Sequence, residues 1–287
     1  MQTGLPETSA SLPDDLASKR DRLLAELAGY ESCAVAFSGG VDSAVVAKAA
    51  QLALGDRAVA VTGRSASLAE GELEAAGDLA RRIGIRHQVI DTEEFGSGDY
   101  LRNSPDRCFH CKTELYTQLE GLGVQVIANG ANLDDQGDYR PGMLAARQHD
   151  VRSPLLDCTL SKAEVRRLAA HWQLPVWDKP ASPCLSSRIA YGQAVTPERV
   201  AMIDRAEQFL RGHGFRELRV RYHSDDLARV EVPVDELPRL AEPELREAVV
   251  ERLRALGFKY VTLDLEGFRS GSLNQIIGVD DLKVLRR

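Results

Sequence analysis

The chain has 287 residues, 44% of them hydrophobic and 28% charged, with a formal net charge of −7. That length allows one large domain or two ordinary ones, no apolar run approaches the roughly 18 residues of a membrane span, and the acidic balance counts against a broad nucleic-acid surface. Five cysteines, an odd number, with Pro6 and Pro13 where a basic-then-apolar leader would lie, point to a cytoplasmic protein with reduced thiols, metal ligands or catalytic sulfur.

Residues 1–12 read as a loose tail, and Pro13 to Gly29 suits a helix with Leu16, Leu23, Leu24 and Leu27 on its apolar face. Short apolar strands then alternate with helices. The strands are predicted at Cys33–Phe37, Ala58–Thr62, His87–Ile90 and Val124–Ala128, and the helices at Asp42–Leu54, Ser67–Ile83, Lys112–Leu122 and Ser161–Trp172. This alternation predicts an α/β fold, a parallel sheet covered on both faces with its ligand at the carboxyl ends of the strands. Residues 175–193 are rich in Pro and Ser and read as a functional loop and domain junction. Thr196-Pro197 opens a helix to about Gly214. Two strands, Leu218–His223 and Leu227–Val232, flank Ser224-Asp225-Asp226, and a helix over Glu244–Leu256 and a strand over Tyr260–Leu265 follow. Residues 1–193 are thus expected to form a nucleotide-binding domain and 194–287 a smaller α+β domain for substrate or oligomer contacts. The latter stretch is not a basic appendix, since residues 190–287 carry 16 basic and 17 acidic groups.

The first predicted strand runs into Ser38-Gly39-Gly40-Val41-Asp42-Ser43 and then a helix. Glycines let a backbone approach phosphate oxygens, N–H groups at a helix start favour negative charge, the two serines add donors, and Asp42 can cap the helix or hold Mg²⁺. The loop is not a Walker A motif. Its form is that of a pyrophosphate loop, and the bland alternative is an ordinary glycine turn. Cys108-Phe109-His110-Cys111 is followed by Lys112, a residue suited to neutralising ATP phosphate. The Cys pair alone is compatible with zinc, an iron–sulfur cluster, a redox dithiol or two unrelated thiols. The best third thiol is Cys184, in Ser182-Pro183-Cys184-Leu185-Ser186-Ser187-Arg188, and three thiolates on a [4Fe–4S] cluster would leave one iron open. Cys33 reads as a core residue and Cys158 as a packed thiol. Gly130–Asp135 and Asp138-Tyr139-Arg140-Pro141-Gly142 follow a strand end and are expected on the ligand edge. Arg219 and Arg221 alternate on a strand and project from one face, suited to a phosphate or carboxylate, with surface ion pairs as the alternative. Glu207 and Glu231 are candidates for a metal or ion-pair site nearby.

Taken together these motifs resemble the LarE family of ATP-dependent sulfur transferases, within the ATP pyrophosphatases of adenine nucleotide alpha hydrolase-like fold. The resemblance covers nearly the whole chain. Besides the Ser38–Ser43 loop it rests on Pro105-Asp106, Asp138–Gly142, Ser186-Ser187-Arg188, Tyr191-Gly192, Arg219-Val220-Arg221 and Tyr260-Val261-Thr262-Leu263-Asp264. It implies adenylation of a carboxylate of pyridinium-3,5-biscarboxylate mononucleotide by ATP with Mg²⁺, followed by displacement of AMP by sulfur, for the nickel-pincer nucleotide cofactor of lactate racemase. It also implies Ser38, Gly39, Gly40, Asp42, Ser43 and Arg188 as ATP contacts, with Lys112 and Asp42 acting in catalysis. Arg219 and Arg221 are implied on the substrate phosphate, and a homo-oligomer is expected. In some members one loop cysteine sacrifices its sulfur. That position aligns with Pro183 here, one residue before Cys184, so Cys108, Cys111 and Cys184 point instead to the branch with a three-cysteine [4Fe–4S] cluster fed by sulfide or another sulfur donor. Sacrifice of Cys184 is the alternative. A cluster-dependent transfer-RNA thiolase is the nearest rival, and it calls for a basic surface. An NAD synthetase-like ligase needs no cysteines, and a nucleotide- or cluster-sensing protein is the non-enzymatic option.

Overall fold

The computed structural model describes residues 12–136, 141–180 and 182–269. Asp138, Tyr139 and Arg140 of the expected ligand-edge motif lie outside the described residues. The chain divides into two compact units. The first comprises residues up to 65, 71–93 and 109–182, and the second comprises 66–70, 94–108 and 183 onward. The division does not follow the expected boundary after residue 193. Residues 183–193 join the second unit through Leu185 N donating to Ser67 O (2.9 Å), Ala190 N to Tyr222 O (2.9 Å) and Gly192 N to Asn103 O (3.2 Å).

In the first unit four strands, β1 (Cys33–Ala36), β2 (Ala58–Arg64), β3 (Arg86–Asp91) and β4 (Val126–Ala128), form a parallel sheet in the order β3-β2-β1-β4. β1 is buried at every position, as a central strand covered on both faces must be. The edge strand β3 carries Arg86 and Asp91 and is largely exposed, which blunts it against further pairing. Helix α1 (Asp14–Ala28) buries Leu16, Leu23 and Leu27. Helix α2 (Val41–Leu54) is buried on most of its surface through small residues, Ala44, Ala47, Ala49 and Ala50 with Val45 and Val46, and this lets α1 and the sheet both approach it. Helix α3 (Glu72–Ile83) is amphipathic and ends at Gly84, whose φ of +81° suits the left-handed C-terminal cap. It starts later than the sequence predicts because residues 66–70 belong to the second unit.

Further along lie α4 (Gly98–Leu101), α5 (Arg107–Glu120), α6 (Pro141–Gln148), α7 (Pro154–Asp157) and α8 (Lys162–His171). Helix α8 opens with a capping box in which Ser161 Oγ accepts from Glu164 N and Glu164 reaches back to Ser161 N. Helix α5 begins five residues before the predicted start and takes the whole Cys-x2-Cys segment into its first turns.

In the second unit β5 (Arg219–His223) pairs antiparallel with β6 (Leu227–Glu231), which pairs parallel with β7 (Tyr260–Leu263). Helix α9 (Pro197–Gly212) packs on β5 and, with α10 (Leu237–Leu240), precedes α11 (Pro243–Ala255), which packs on β7. Apart from the four-residue α10, the order α-β-β-α-β is the one the sequence predicts. Among the described residues no helix is long and apolar enough to cross a membrane.

Candidate active site

The strand order of the first unit places a switch point beside β1: β2 and β3 extend to one side and β4 lies on the other. Open α/β sheets bind ligands at that position, outside the carboxyl ends of the strands. The Ser38 loop leaves β1 there and the Gly130 loop leaves β4. Gly39 has φ +70°, and a Cβ on it would stand 3.3 Å from the Ala76 Cβ, so both backbone and packing demand glycine. Gly40 caps α2 with extended backbone, and a Cβ there would meet only Ser38 Oγ at 3.4 Å. Hydroxyls close the loop. Ser38 N donates to Ser43 Oγ (3.2 Å), Ser43 Oγ donates to Gly40 O (3.1 Å), and the two hydroxyls stand 3.2 Å apart. The first-turn N–H groups of α2 have no acceptor within their own helix, so the loop offers a field that favours phosphate.

Gly130 lets the second loop come close: a Cβ there would fall 2.8 Å from Ser43 N and 3.0 Å from the Asp42 Cβ. Asn132 Nδ2 then donates to Asp42 Oδ1 (3.2 Å), while Asn132 Oδ1 caps the next turn by accepting from Asp134 N (3.0 Å). Lys162, the first residue of α8, ion-pairs with the other Asp42 oxygen. Asp42 therefore serves as a carboxylate held in place by two partners. A single carboxylate together with substrate phosphates is an ordinary Mg²⁺ ligand set, and the donor chemistry fits. The expected residues Ser38, Gly39, Gly40, Asp42 and Ser43 are brought together. Sequence reasoning missed Lys162, whose one signal is its place at the head of a capping-box helix. Lys112 lies on α5, half-buried.

The second unit carries the Cys184 loop, and its carbonyls are almost all held from beneath. Arg188 donates to Pro183 O and to Cys184 O (2.8 Å). Arg107 donates to Ser186 O (2.6 Å), Arg221 to Ser187 O (3.2 Å), and Asn103 Nδ2 to Ile189 O (3.1 Å) and Ala190 O (2.9 Å). The Tyr100 and Ser186 hydroxyls share a hydrogen bond of 2.7 Å. Cys184 itself is exposed at the head of this loop. Arg188, expected to contact ATP, is 1% exposed and commits its guanidinium to Glu207 (3.1 Å) and to the loop.

Cys108 is exposed and Cys111 half-buried, one turn apart on α5, with Cys108 at the end of a second-unit segment and Cys111 in the first unit. Among the described residues no three His, Cys, Asp or Glu side chains are gathered as a metal ion would require. As residue types, the thiols of Cys108, Cys111 and Cys184 are donors for a soft metal. Cys33 and Cys158 are different. Burial pushes both thiols up to about 12, Cys158 aided by its bond to Glu26, so both stay protonated and packed.

Glu207 and Glu231 are fully buried and form ion pairs. Glu207 holds Arg188 (3.1 Å) and Arg211 (2.7 Å), and Glu231 holds Arg221 (3.0 Å) and Arg229 (3.0 Å). Arg219 stands on the same strand as Arg221. Burial, and then the neighbouring Arg188, push it down to about 10, with Arg221 and Arg211 adding and Glu207 opposing. Among the described residues Arg219 and Arg221 thus share a neighbourhood with Arg188, Arg211 and Arg229, balanced in part by Glu207, Glu231 and Asp264, a setting in which guanidinium groups can meet an anion.

Residues 22–99 match the NAD synthase family. An uncharacterized protein of Synechocystis sp. is 42% identical over 266 residues, covering 91% of this chain and 99% of its own length. The pyridinium-3,5-bisthiocarboxylic acid mononucleotide synthase of Lactiplantibacillus plantarum is 37% identical over 268 residues, 91% of this chain and 96% of that protein. The tRNA-specific 2-thiouridylase MnmA of Xanthobacter autotrophicus is 30% identical over 191 residues, 52% of this chain and 49% of that protein.

Proposed function

The chain belongs to the family of pyridinium-3,5-bisthiocarboxylic acid mononucleotide synthases, the LarE sulfur transferases, and on that premise we propose that it adenylates carboxylates of pyridinium-3,5-biscarboxylate mononucleotide and converts them to thiocarboxylates for a nickel-pincer nucleotide. The observation that carries this is the near-full-length similarity to the Lactiplantibacillus synthase together with the Ser38–Ser43 loop at the switch point of the sheet.

A carboxylate is a poor electrophile until its oxygen becomes part of a good leaving group. A substrate carboxylate oxygen attacks the α-phosphorus of ATP, the bond to the bridging oxygen breaks, and pyrophosphate leaves. The N–H groups of the Ser38 loop and the hydroxyls of Ser38 and Ser43 hold that pyrophosphate, and Asp42 would hold Mg²⁺, which when bound neutralises phosphate charge. Lys112 neutralises further phosphate charge. Arg219 and Arg221 anchor the phosphate of the substrate mononucleotide, while Arg188 keeps the Cys184 loop in shape. Sulfur then attacks the acyl carbon and AMP departs with the electron pair of the broken C–O bond. Cys108, Cys111 and Cys184 would hold a [4Fe–4S] cluster, which when bound supplies a transferable sulfide. A homo-oligomer and a reducing cytoplasm complete the proposal, the latter suiting a chain with five cysteines.

Anaerobic purification with iron and sulfide analysis, followed by protein mass after turnover, tests the sulfur source. About four irons per chain and an unchanged mass are expected. A chain without iron that loses the sulfur of Cys184 would replace the cluster by sacrifice of that residue.

A further inference from the structure

Arg107 holds the Cys184 loop, and the mechanism above leaves its charge without a task. It is 4% exposed. Its Nη1 donates to neutral oxygens, Asn103 Oδ1 and Ser186 O, both at 2.6 Å, and among the described residues its buried Nε has no hydrogen-bond partner. Among the described residues no carboxylate pairs with it, in contrast to Arg188 and Arg221, whose charges meet Glu207 and Glu231. A buried guanidinium without a counter-ion is costly and persists only where something compensates it.

The candidates beside it are sulfur. Cys108 follows Arg107 directly in the chain, and Ser186, whose carbonyl Arg107 holds, is two residues from Cys184. One buried cation with a donor to spare thus ties together the two segments that carry these exposed sulfurs, and both segments belong to the second unit.

We propose that Arg107 is the positioning residue and resident counter-ion for anionic sulfur held at Cys108 and Cys184. One of its amino groups docks the Cys184 loop through Ser186 O and Asn103, and its Nε–H faces the negative charge. The chemistry recognised is that of an anionic sulfur species, whether a thiolate, a persulfide or a cluster-borne sulfide. The proposal rests on the sulfur-transfer function for its purpose but not for its test.

The test compares reaction rates of Cys108 and Cys184, resolved by peptide mass, with a dianionic aryl disulfide (dithionitrobenzoate) and a neutral one (dithiodipyridine). Reduced, chelator-treated full-length protein is used at a single pH. Taking the ratio of the two rates cancels their shared dependence on thiol ionisation and accessibility. A nearby unit charge should favour the anionic reagent, and Arg107→Met should lower the ratio about tenfold while Arg107→Lys keeps it within about twofold of the parent. An unchanged ratio in a folded Arg107→Met protein overturns the proposal. Should that variant fail to fold, the parent is read against salt: the ratio should fall towards that of a free thiol as ionic strength rises, and no salt dependence overturns the proposal equally. Substrate-dependent pyrophosphate release, measured separately on the parent, reports on the overall function, so failure of either claim leaves the other readable.

Discussion

At the scale of single residues, the two glycines of the loop separate folding from binding. Gly39→Val would force a β-branched residue to φ +70° and against Ala76, so it strains the fold and cannot isolate phosphate contact. Gly40→Ala has room and should leave the melting temperature within a degree or two while weakening ATP binding about tenfold, because its methyl group stands where phosphate oxygens approach the backbone. Calorimetric titration with ATP checks it, and unchanged affinity would move the nucleotide elsewhere. The thiols divide as cleanly. Alkylation at pH 8 should label Cys108, Cys111 and Cys184 first and reach Cys33 and Cys158 only on unfolding. The last two ionise near 9 in the unfolded chain but near 12 when folded. The unfolded chain therefore loses protons first as pH rises, and stability present below about 9 declines between there and about 12. Denaturant titrations across that range should show the decline, and Cys33→Ala with Cys158→Ala should flatten it. The glycines and cysteines were legible in the sequence because their chemistry is local. Arg107 and Lys162 were not, because nothing in a linear pattern tells a buried cation beside sulfur, or one beside Asp42, from a solvated helix residue.

At the scale of elements, the buried ion pairs of β5, β6 and α9 differ from the pairs at the sheet edge. Arg188→Met removes one of two partners from the fully buried Glu207 and should cost about 3–5 kcal/mol in urea unfolding, since the remaining charge stays out of water. Asp91→Asn breaks the Arg64–Asp91 pair, both of whose members are more than half exposed, and should leave the urea midpoint almost unchanged. Similar costs for the two would mean that Glu207 is solvated. Strands β1 to β4 were readable from their apolar runs, β5 and β6 from alternation around Ser224–Asp226, and β7 as the strand after the Glu244–Leu256 helix. Two helix starts were not. Helix α3 begins at Glu72 because Ser67 and Glu70 bond to Leu185 and Asp204, contacts distant in sequence. Helix α5 begins at Arg107 because its side chain bonds Asn103 and Ser186, which fixes a first turn that propensity alone leaves open.

For the whole molecule, the pyrophosphate loop belongs to one compact unit, while Cys184, Cys108 and the arginine cluster belong to the other. The expected boundary after residue 193 missed this because segments 66–70 and 94–108 leave the first unit and return, and composition carries no trace of such excursions. On the proposed reading adenylation calls on the first unit, and Cys184 and the substrate-phosphate arginines on the second. Cys184→Ala should therefore retain pyrophosphate release and lose thiocarboxylate formation. The most direct measurement incubates the anaerobically purified protein with ATP, Mg²⁺ and pyridinium-3,5-biscarboxylate mononucleotide, following pyrophosphate and product mass together. The expected result is pyrophosphate release that depends on the mononucleotide, with a product in which one oxygen has been replaced by sulfur. Release that ignores the mononucleotide and responds to transfer RNA or to ammonia would contradict the account.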